Sequence, residues 1–466
     1  MLDLSAIVKA YDIRGLVPQQ LNDEVARAVG AAFVRLLDAR TVVTAYDMRE
    51  SSVPLSQAFA QGATSQGADV IECGLGSTDM LYYAAGSLDV PGAMFTASHN
   101  PARYNGIKLC QAGAAPVGQE SGLREIRSMI EAGLPRADAA PGTITRHELL
   151  PEYARYLRGL VPGIESIRRL KVVVDAGNGM AGLTVPAVLG AGQSVGGPSD
   201  TAQSTPLPLD IVAMYFELDG SFPNHEANPI DPENLRDLQA AVRREQADIG
   251  LAFDGDADRC FVVDERGELV SPSALTALIA SRELAREPGS TVIHNLITSH
   301  AVPELVSELG GMPVRTRVGH SFIKAEMART NAVFGGEHSG HFYFRDFWRA
   351  DSGMLAALHT LAALGGQDRP LSAMLARYDR YAQSGEVNSE VADAAERIEA
   401  VAQRYGARPG ASLDRLDGLT VDLGNGRWFN LRPSNTEPLL RLNVEAPDEP
   451  AMAELRDEIL TFVRTP

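Results

Sequence analysis

The chain carries 466 residues, 45% of them hydrophobic and 22% charged, with a formal net charge of −18 at pH 7. At about 150 residues per domain, that length predicts three or four domains rather than one core, and the ordinary apolar fraction excludes disordered and fibrous classes. The acidic excess repels nucleic acid and anionic membranes, and no Lys/Arg block or interleaved aromatic platform offsets it, so neither is expected as a partner.

The first residues, with Asp3 and Lys9, contain no long apolar stretch. Neither secretion nor membrane anchoring is signalled, and a cytoplasmic location is expected. Cys73, Cys110 and Cys260 are odd in number, far apart and without C-x-x-C spacing, which predicts buried, inert thiols rather than disulfides or zinc ligands.

In chain order, one pattern recurs three times at intervals of roughly 120 to 130 residues: a β-branched apolar run, a small polar loop, then a helical stretch. It covers Thr41 to Ser52, Lys171 to Gly182 and Thr291 to His300. Each block has a second strand-like run that leads into a chemically loaded loop: Ala93-Met94-Phe95 before Ser98, Ile249 to Phe253 before Asp254, and Ala332-Val333-Phe334 before Gly335. Gly133 to Gly142 reads as a linker, and a second boundary is expected near Asp264 to Gly267. After Tyr381 the pattern changes to a strand, a helix from Ala392 to Tyr405, several strands through Val444 and a last helix from Glu449. The expected fold class is α/β: three related mixed α/β domains with mostly parallel sheets, then a smaller α+β domain. The divisions are 1–145, 146–264, 265–380 and 381–466, and in such sheets ligands gather at the carboxyl ends of strands.

Two loops carry the sharpest chemistry. Asp254, Asp256 and Asp258 alternate in Asp254-Gly255-Asp256-Ala257-Asp258-Arg259, a spacing at which one loop wraps a hard divalent cation and at which three carboxylates repel one another without one. A calcium loop would match at these positions and at Glu265, but it requires a glycine where Arg259 stands and a helix where Cys260 to Val263 reads as strand. A magnesium loop between strands fits better. In Thr96-Ala97-Ser98-His99-Asn100-Pro101, Ser98 presents a hydroxyl after a strand. By itself this serine reads first as a turn former; Lys108, returned across an expected Asn105-Gly106 hairpin turn, gives it company. Serine plus a magnesium loop points to phosphoryl transfer.

Gly177-Asn178-Gly179-Met180-Ala181-Gly182 matches the dinucleotide fingerprint, but Asp200 follows Gly196 to Ser199 rather than closing a strand, so a structural glycine turn is the better reading. The loop Gly335 to His341 offers Glu337, Ser339 and two imidazoles suited to vicinal hydroxyls. Arg432 to Pro438 crowds a guanidinium, two hydroxyls and an amide into a turn suited to phosphate.

With these motifs, and with Lys9-Ala10-Tyr11-Asp12-Ile13-Arg14-Gly15 at the start, the chain resembles the α-D-phosphohexomutases nearly end to end, most closely the bacterial phosphomannomutase/phosphoglucomutase branch. The resemblance implies four domains around a central cleft, each giving one loop, and an isomerase that interconverts hexose 1- and 6-phosphates through a phosphoserine enzyme and a hexose 1,6-bisphosphate, which also serves as activator. Ser98 would be the phosphorylated serine and would hold Mg2+ with Asp254, Asp256 and Asp258. Lys108 and His341 would be acid/base residues, with Arg14 and Arg259 beside the transferring phosphate. Glu337 and Ser339 would read sugar hydroxyls, Arg432, Ser434, Asn435 and Thr436 would grip the distal phosphate, and Tyr11 and His320 would complete the walls. Mannose phosphate is the first expected substrate and glucose phosphate the second. Phosphoglucosamine mutase, a magnesium-dependent sugar-phosphate phosphatase and a non-catalytic sensor are the alternatives, and the oligomeric state is left open. Where relatives often carry a lysine and an arginine after the third-block strand, this chain has Ile297 and His300.

Overall fold

The computed structural model describes residues 3–135, 140–190, 206–433 and 439–465. They form two compact units, one of Met1–Val270 with Ser339–Ala373 and one of Ser271–His338 with Met374–Pro466.

The first unit contains two sheets. In one, the strands lie in the order Ile13–Leu16, Tyr104–Cys110, Gly92–Phe95, Thr41–Tyr46, Asp69–Leu75, Ile144–Arg146. The last four are mutually parallel, and the first two add antiparallel at one edge. The other sheet repeats the plan in the order Leu269–Val270, Cys260–Asp264, Ile249–Phe253, Leu170–Asp175, Leu209–Met214, again parallel at one side and antiparallel at the other. The β-branched runs Val42-Val43 and Val172-Val173-Val174 are fully buried, as expected of strands covered on both faces. In both sheets the antiparallel edge begins where a chemically loaded loop turns back: Gly92–Phe95 returns as Tyr104–Cys110, and Ile249–Phe253 returns as Cys260–Asp264. The first unit also holds the antiparallel pair Phe342–Phe344 and Ala350–Asp351. The helix Gly353–Gly365 follows, buried at every position but Ala363, which is what a helix apolar all round requires.

In the second unit Thr291–Asn295 lies between Met312–Thr316 and Phe334–Gly336, all parallel. An antiparallel sheet follows, in the order Ala382–Glu390, Leu439–Ala446, Trp428–Pro433, Leu419–Asp422, Ser412–Asp414. Helices Ala394–Gly406 and Glu449–Arg464 cover it, and Ile398, Val401, Tyr405, Phe429, Leu440 and Ile459 form its core.

One local expectation fails. Asn105-Gly106 is not a hairpin turn; it lies inside Tyr104–Cys110, where the buried Asn105 amide donates to Ser51 and Ser52 Oγ, and the reversal is made by residues 96–103. Asp264 to Gly267 is a tight turn within the second sheet, closed by Gly267 N donating to Asp264 O at 2.9 Å, and the division between the two units follows it at once, after Val270. Of the Gly133–Gly142 linker, residues 136–139 lie outside the described residues. Gly142 N already bonds Thr64 O, so the chain re-enters the first sheet at once. No helix among the described residues is long and apolar enough to cross a membrane.

Candidate active site

The carboxyl ends of Gly92–Phe95 and Ile249–Phe253 bring the serine loop and the three-aspartate loop into direct contact. Ser98 Oγ donates to Asp254 Oδ2 at 2.7 Å, and Ser98 is 4% exposed. Its backbone is left-handed, φ 51°, a conformation that costs a non-glycine residue ~1–3 kcal/mol and is kept where surroundings over-determine it.

Those surroundings centre on Arg49, buried at the end of Thr41–Tyr46. Its guanidinium donates to the carbonyls of Pro101 and Tyr104 (3.0 Å each), Ser98 (2.9 Å) and Asn100 (2.6 Å), and Nε pairs with Asp47 at 3.2 Å. One cation thereby satisfies four carbonyls of a turn that has no ladder of its own. From below, a Cβ on Gly255 would sit 2.5 Å from Ser98 O, and one on Gly179 would sit 2.7 Å from Gly255 O. The fingerprint-like glycine turn is therefore a support for the aspartate loop, with Met180 N donating to Gly255 O at 2.9 Å. Asp200, the acid weighed against that reading, lies outside the described residues.

Asp254, Asp256 and Asp258 are all buried, with ligand atoms within 4.8 Å of one another. Asp254 Oδ2 also accepts from Arg259 Nε at 3.0 Å. Asp256 Oδ2 accepts from Lys108 Nζ and Thr78 Oγ1, each at 2.6 Å, and Asp258 Oδ2 accepts from Lys108 Nζ at 2.7 Å. Burial, together with repulsion from Asp258 and Asp256, pushes the Asp254 carboxyl far above its ordinary range against the pull of Arg259. Burial works the same way on Asp256, but the Lys108 ammonium and the hydrogen bonds outweigh it and hold that carboxyl low. Burial alone would lower Lys108; the two aspartates overcome it and keep the amine protonated.

A hard dication fits this set. Asp256 Oδ1 and Asp258 Oδ1 are buried without a hydrogen-bond partner, so two oxygens remain to bind beside Asp254. The calcium-loop alternative fails in the structure as in the sequence: Cys260–Asp264 is a strand, and Glu265 accepts from Ser372 N at 3.0 Å.

Arg14 donates to Asn100 Oδ1 at 2.6 Å, on the serine loop, and Tyr11 is half-buried just before Asp12. His341 forms a bridge with Arg259; its Nδ1 lies 2.9 Å from Ser339 Oγ and its Nε2 lies 3.7 Å from Asp258 Oδ1. Ser98, Lys108, Arg14, Arg259, His341, Ser339 and the three aspartates therefore all belong to the first unit. Glu337, His320 and Arg432 belong to the second. Glu337 is buried and accepts from Asn295 Nδ2 at 3.2 Å and Gly319 N at 3.1 Å; His320 opens the helix His320–Thr330; Arg432 pairs with Glu386 at 3.3 Å. Ser434, Asn435 and Thr436 lie outside the described residues. Ile297 is buried, and the His300 ring stacks on Trp428 at 5.0 Å while burial pushes its pKa down, so neither supplies positive charge after Thr291–Asn295.

Sequence reasoning missed Arg49, Asp47, Thr78 and His99. Arg49 carried a signal, a charged residue just past the carboxyl end of an apolar strand. Thr78 opens the helix Thr78–Ser87, whose N-cap Ser77 accepts from Met80 N, and nothing local marks its reach to Asp256. His99, 3.2 Å from Ser98 Oγ, is driven toward the neutral form by burial and by Arg259 and Arg14.

Four family models cover the chain: phosphoglucomutase/phosphomannomutase alpha/beta/alpha domain I at residues 5–136, domain II at 151–267, domain III at 271–381, and the C-terminal domain at 386–462. A protein named phosphohexose mutases from Xanthomonas campestris pv. campestris is 40% identical over 98% of both chains, and a phosphomannomutase from Escherichia coli K12 is 37% identical over 97% of both. A phosphoglucomutase/phosphomannomutase family structure from Burkholderia thailandensis superposes with a TM-score of 0.85 at 31% identity, over 98% of this chain and 97% of that one. With all four domains present and a serine set against a buried aspartate triad, the chain belongs to the phosphoglucomutase/phosphomannomutase family and is an isomerase of the intramolecular phosphotransferase kind.

Proposed function

We propose that the enzyme interconverts hexose 6-phosphate and hexose 1-phosphate, mannose first and glucose also, through a phosphorylated Ser98 and a hexose 1,6-bisphosphate that also acts as activator. The observation that carries this reading is the buried Ser98 Oγ held 2.7 Å from Asp254 within the three-aspartate loop. In the first transfer the phosphoryl group leaves Ser98 Oγ for the free hydroxyl oxygen of the sugar phosphate, and the proton of that hydroxyl ends on Ser98 Oγ. In the second, the other phosphate of the bisphosphate returns to Ser98.

Lys108, kept protonated between Asp256 and Asp258, is the acid of this exchange, and His341 is the second proton carrier. Arg14 and Arg259 meet the charge of the transferring group. Asp254, Asp256 and Asp258, with an oxygen of Ser98, would hold Mg2+, which when bound neutralises charge on the transferring phosphoryl group. Glu337 and Ser339 read sugar hydroxyls; Arg432, Ser434, Asn435 and Thr436 grip the unreactive phosphate, and Tyr11 and His320 complete the recognition. We assign these roles to four domains, 1–145, 146–264, 265–380 and 381–466, of a cytoplasmic enzyme acting on small-molecule substrates. Relatives named phosphomannomutase support mannose as the first substrate.

The test is a coupled assay of mannose, glucose and glucosamine 1-phosphates with magnesium and trace hexose 1,6-bisphosphate, paired with intact-mass measurement. Isomerisation of mannose phosphate and an added mass of about 80 Da, lost in Ser98→Ala, is the expected result. Faster turnover of glucosamine phosphate would assign the phosphoglucosamine mutase activity, and release of free phosphate a phosphatase. Asp256→Ala abolishes turnover without unfolding; full activity of that variant without metal would refute the role of the triad.

A further inference from the structure

Behind the three-aspartate loop, residues 215–228 form a strap that supports the site from outside it. The strap leaves the strand Leu209–Met214 at a left-handed Tyr215 and turns again at a left-handed Phe222, φ 55° and 54°, conformations that such residues keep only where the surroundings over-determine them. Part of it packs on Arg49, whose guanidinium lies 5.0 Å from the centre of the Phe222 ring, and a Cβ on Gly220 would sit 2.7 Å from Arg49 Cα. The rest holds the glycine turn. Asn178 N donates to Tyr215 O and Asn178 Nδ2 to Glu217 O, each at 2.9 Å; Asn178 O accepts from Asp219 N at 3.0 Å and Oδ1 from Asn224 Nδ2 at 2.8 Å. Every polar group of Asn178 is thus bonded to the strap.

The far end of the strap is closed by an ion pair. His225 Nε2 lies 3.0 Å from Asp175 Oδ2, and His225 Nδ1 lies 2.9 Å from Glu226 O. A carbonyl and a carboxylate only accept, so both ring nitrogens donate and the ring is an imidazolium. Asp175 is 1% exposed, and its Oδ1 accepts from Gly177 N at 2.9 Å, which ties the pair to the glycine turn. From that turn Met180 N donates to Gly255 O at 2.9 Å, and Gly255 backs onto Ser98 O. Around the ring, Tyr215 meets it edge to face at 5.4 Å and donates its hydroxyl to Asp237 at 2.8 Å. Burial lowers the His225 pKa, but the hydrogen bond to Asp175 and its charge outweigh burial, with Glu226 O and Asp237 adding to them, and hold it above the ordinary 6.5. Burial, with Asp237, pushes the Tyr215 hydroxyl up to about 12, so His225 is the group that titrates first as pH rises.

We propose that His225 is a positioning residue for the reacting serine: its imidazolium latches the strap to Asp175, and opening of that latch loosens the glycine turn beneath the aspartate loop and lowers turnover. No atom of the strap has to touch substrate for this, because Ser98 stands on Gly255 and Gly255 on the turn. The latch is complete below pH 6.5, the ordinary value of the ring, and is lost as pH rises through the raised folded value. The latch itself is a property of the fold; its effect on turnover rests on the mutase reading.

The test compares wild type with His225→Gln, which keeps one donor and no charge, between about pH 6 and about pH 9. Hydrogen exchange, corrected for its intrinsic pH dependence and read by mass spectrometry, needs no substrate. At the acidic end, peptides spanning residues 175–180 and 254–259 should exchange roughly tenfold or more faster in the variant, and the two proteins should converge at the alkaline end. At the acidic end kcat should fall by roughly 10- to 100-fold with KM little changed, and the ratio of wild type to variant should shrink toward one as pH rises. Phe222→Leu, which removes the ring beneath Arg49 and no charge, should lower kcat by a factor that does not change with pH. Exchange over residues 254–259 that is unaffected by His225→Gln overturns the proposal. So does a wild-type to His225→Gln ratio that is flat across the range, or one that Phe222→Leu reproduces. Absence of hexose phosphate turnover in wild type, with the exchange difference intact, would sink the mutase reading and leave the latch standing.

Discussion

Arg49→Met removes the cation on which the serine loop is built. Hydrogen bonds from a charged donor contribute ~1.5–3 kcal/mol each, but the four from Arg49 hold one loop and do not add. The larger effect falls on Asp47, left as a buried carboxylate whose partner is gone, a change that costs ~3–5 kcal/mol. Ser52 Oγ, 2.6 Å from Asp47, remains but carries no charge. Protonation limits the damage: burial already pushes the Asp47 carboxyl up, and neutralising at pH 7 an acid of ordinary value 3.8 costs about 4 kcal/mol, within the same range. The loop should therefore open ~3–5 kcal/mol more easily, which is roughly a hundred- to several-thousand-fold faster amide exchange over residues 96–104, because each 1.4 kcal/mol is tenfold. Hydrogen exchange read by mass spectrometry on peptides of that segment measures this without requiring two-state unfolding of a chain with several domains. In turnover, kcat and kcat/KM should fall together with little change in KM. Acceleration below tenfold, or failure of Asp47→Asn to restore part of the protection to Arg49→Met, would refute the clamp.

Gly255→Ala places a methyl group 2.5 Å from Ser98 O, so one loop must shift; with misplacement of about 1 Å costing roughly a hundredfold, kcat should drop by at least that much while circular dichroism stays unchanged. Asp79 is fully buried and accepts from Tyr153 and Ser352; burial pushes its carboxyl up to about 6 from 3.8. The sign follows from proton count: between those values the folded chain keeps a proton that the unfolded chain has lost, so this contribution is present below pH 3.8 and fades as pH rises through 6. The stability difference between wild type and Asp79→Asn should shift by on the order of 3 kcal/mol across that window, and a flat difference would remove Asp79 as its source. Magnesium at 100 times its Kd should raise wild-type stability by about 2.7 kcal/mol and leave Asp256→Ala unmoved in thermal melts; equal stabilisation of both would place the ion elsewhere.

The threefold strand, loop and helix plan was legible because β-branched runs and small polar loops are local signals, and Thr41–Tyr46, Leu170–Asp175 and Thr291–Asn295 fall where those signals lie. The mixed edges were less legible. An antiparallel return depends on whether a loaded loop is also a hairpin, and Asn105-Gly106 competed with the true reversal at residues 96–103, where tertiary contacts from Arg49 do the work of turn chemistry. Thr78 and Asp256 stand 178 residues apart, and no pattern within either segment announces the other.

Net charge was the observation least suited to the site, and its resolution is local. Around Ser98 the three carboxylates of the triad face two cationic side chains, Lys108 and Arg259, each engaged with them. Arg49 is matched by Asp47, and Arg14 by Asp12. The protein groups alone thus leave one uncompensated negative charge at the serine, where burial first, and repulsion from Asp258 and Asp256 besides, drives the Asp254 carboxyl upward. A dication in the triad reverses that sign and turns a site hostile to phosphate into one that attracts it. With a metal held there, the buried aspartates would make phosphate affinity conditional on it, a dependence that a permanently positive pocket of arginines would not have.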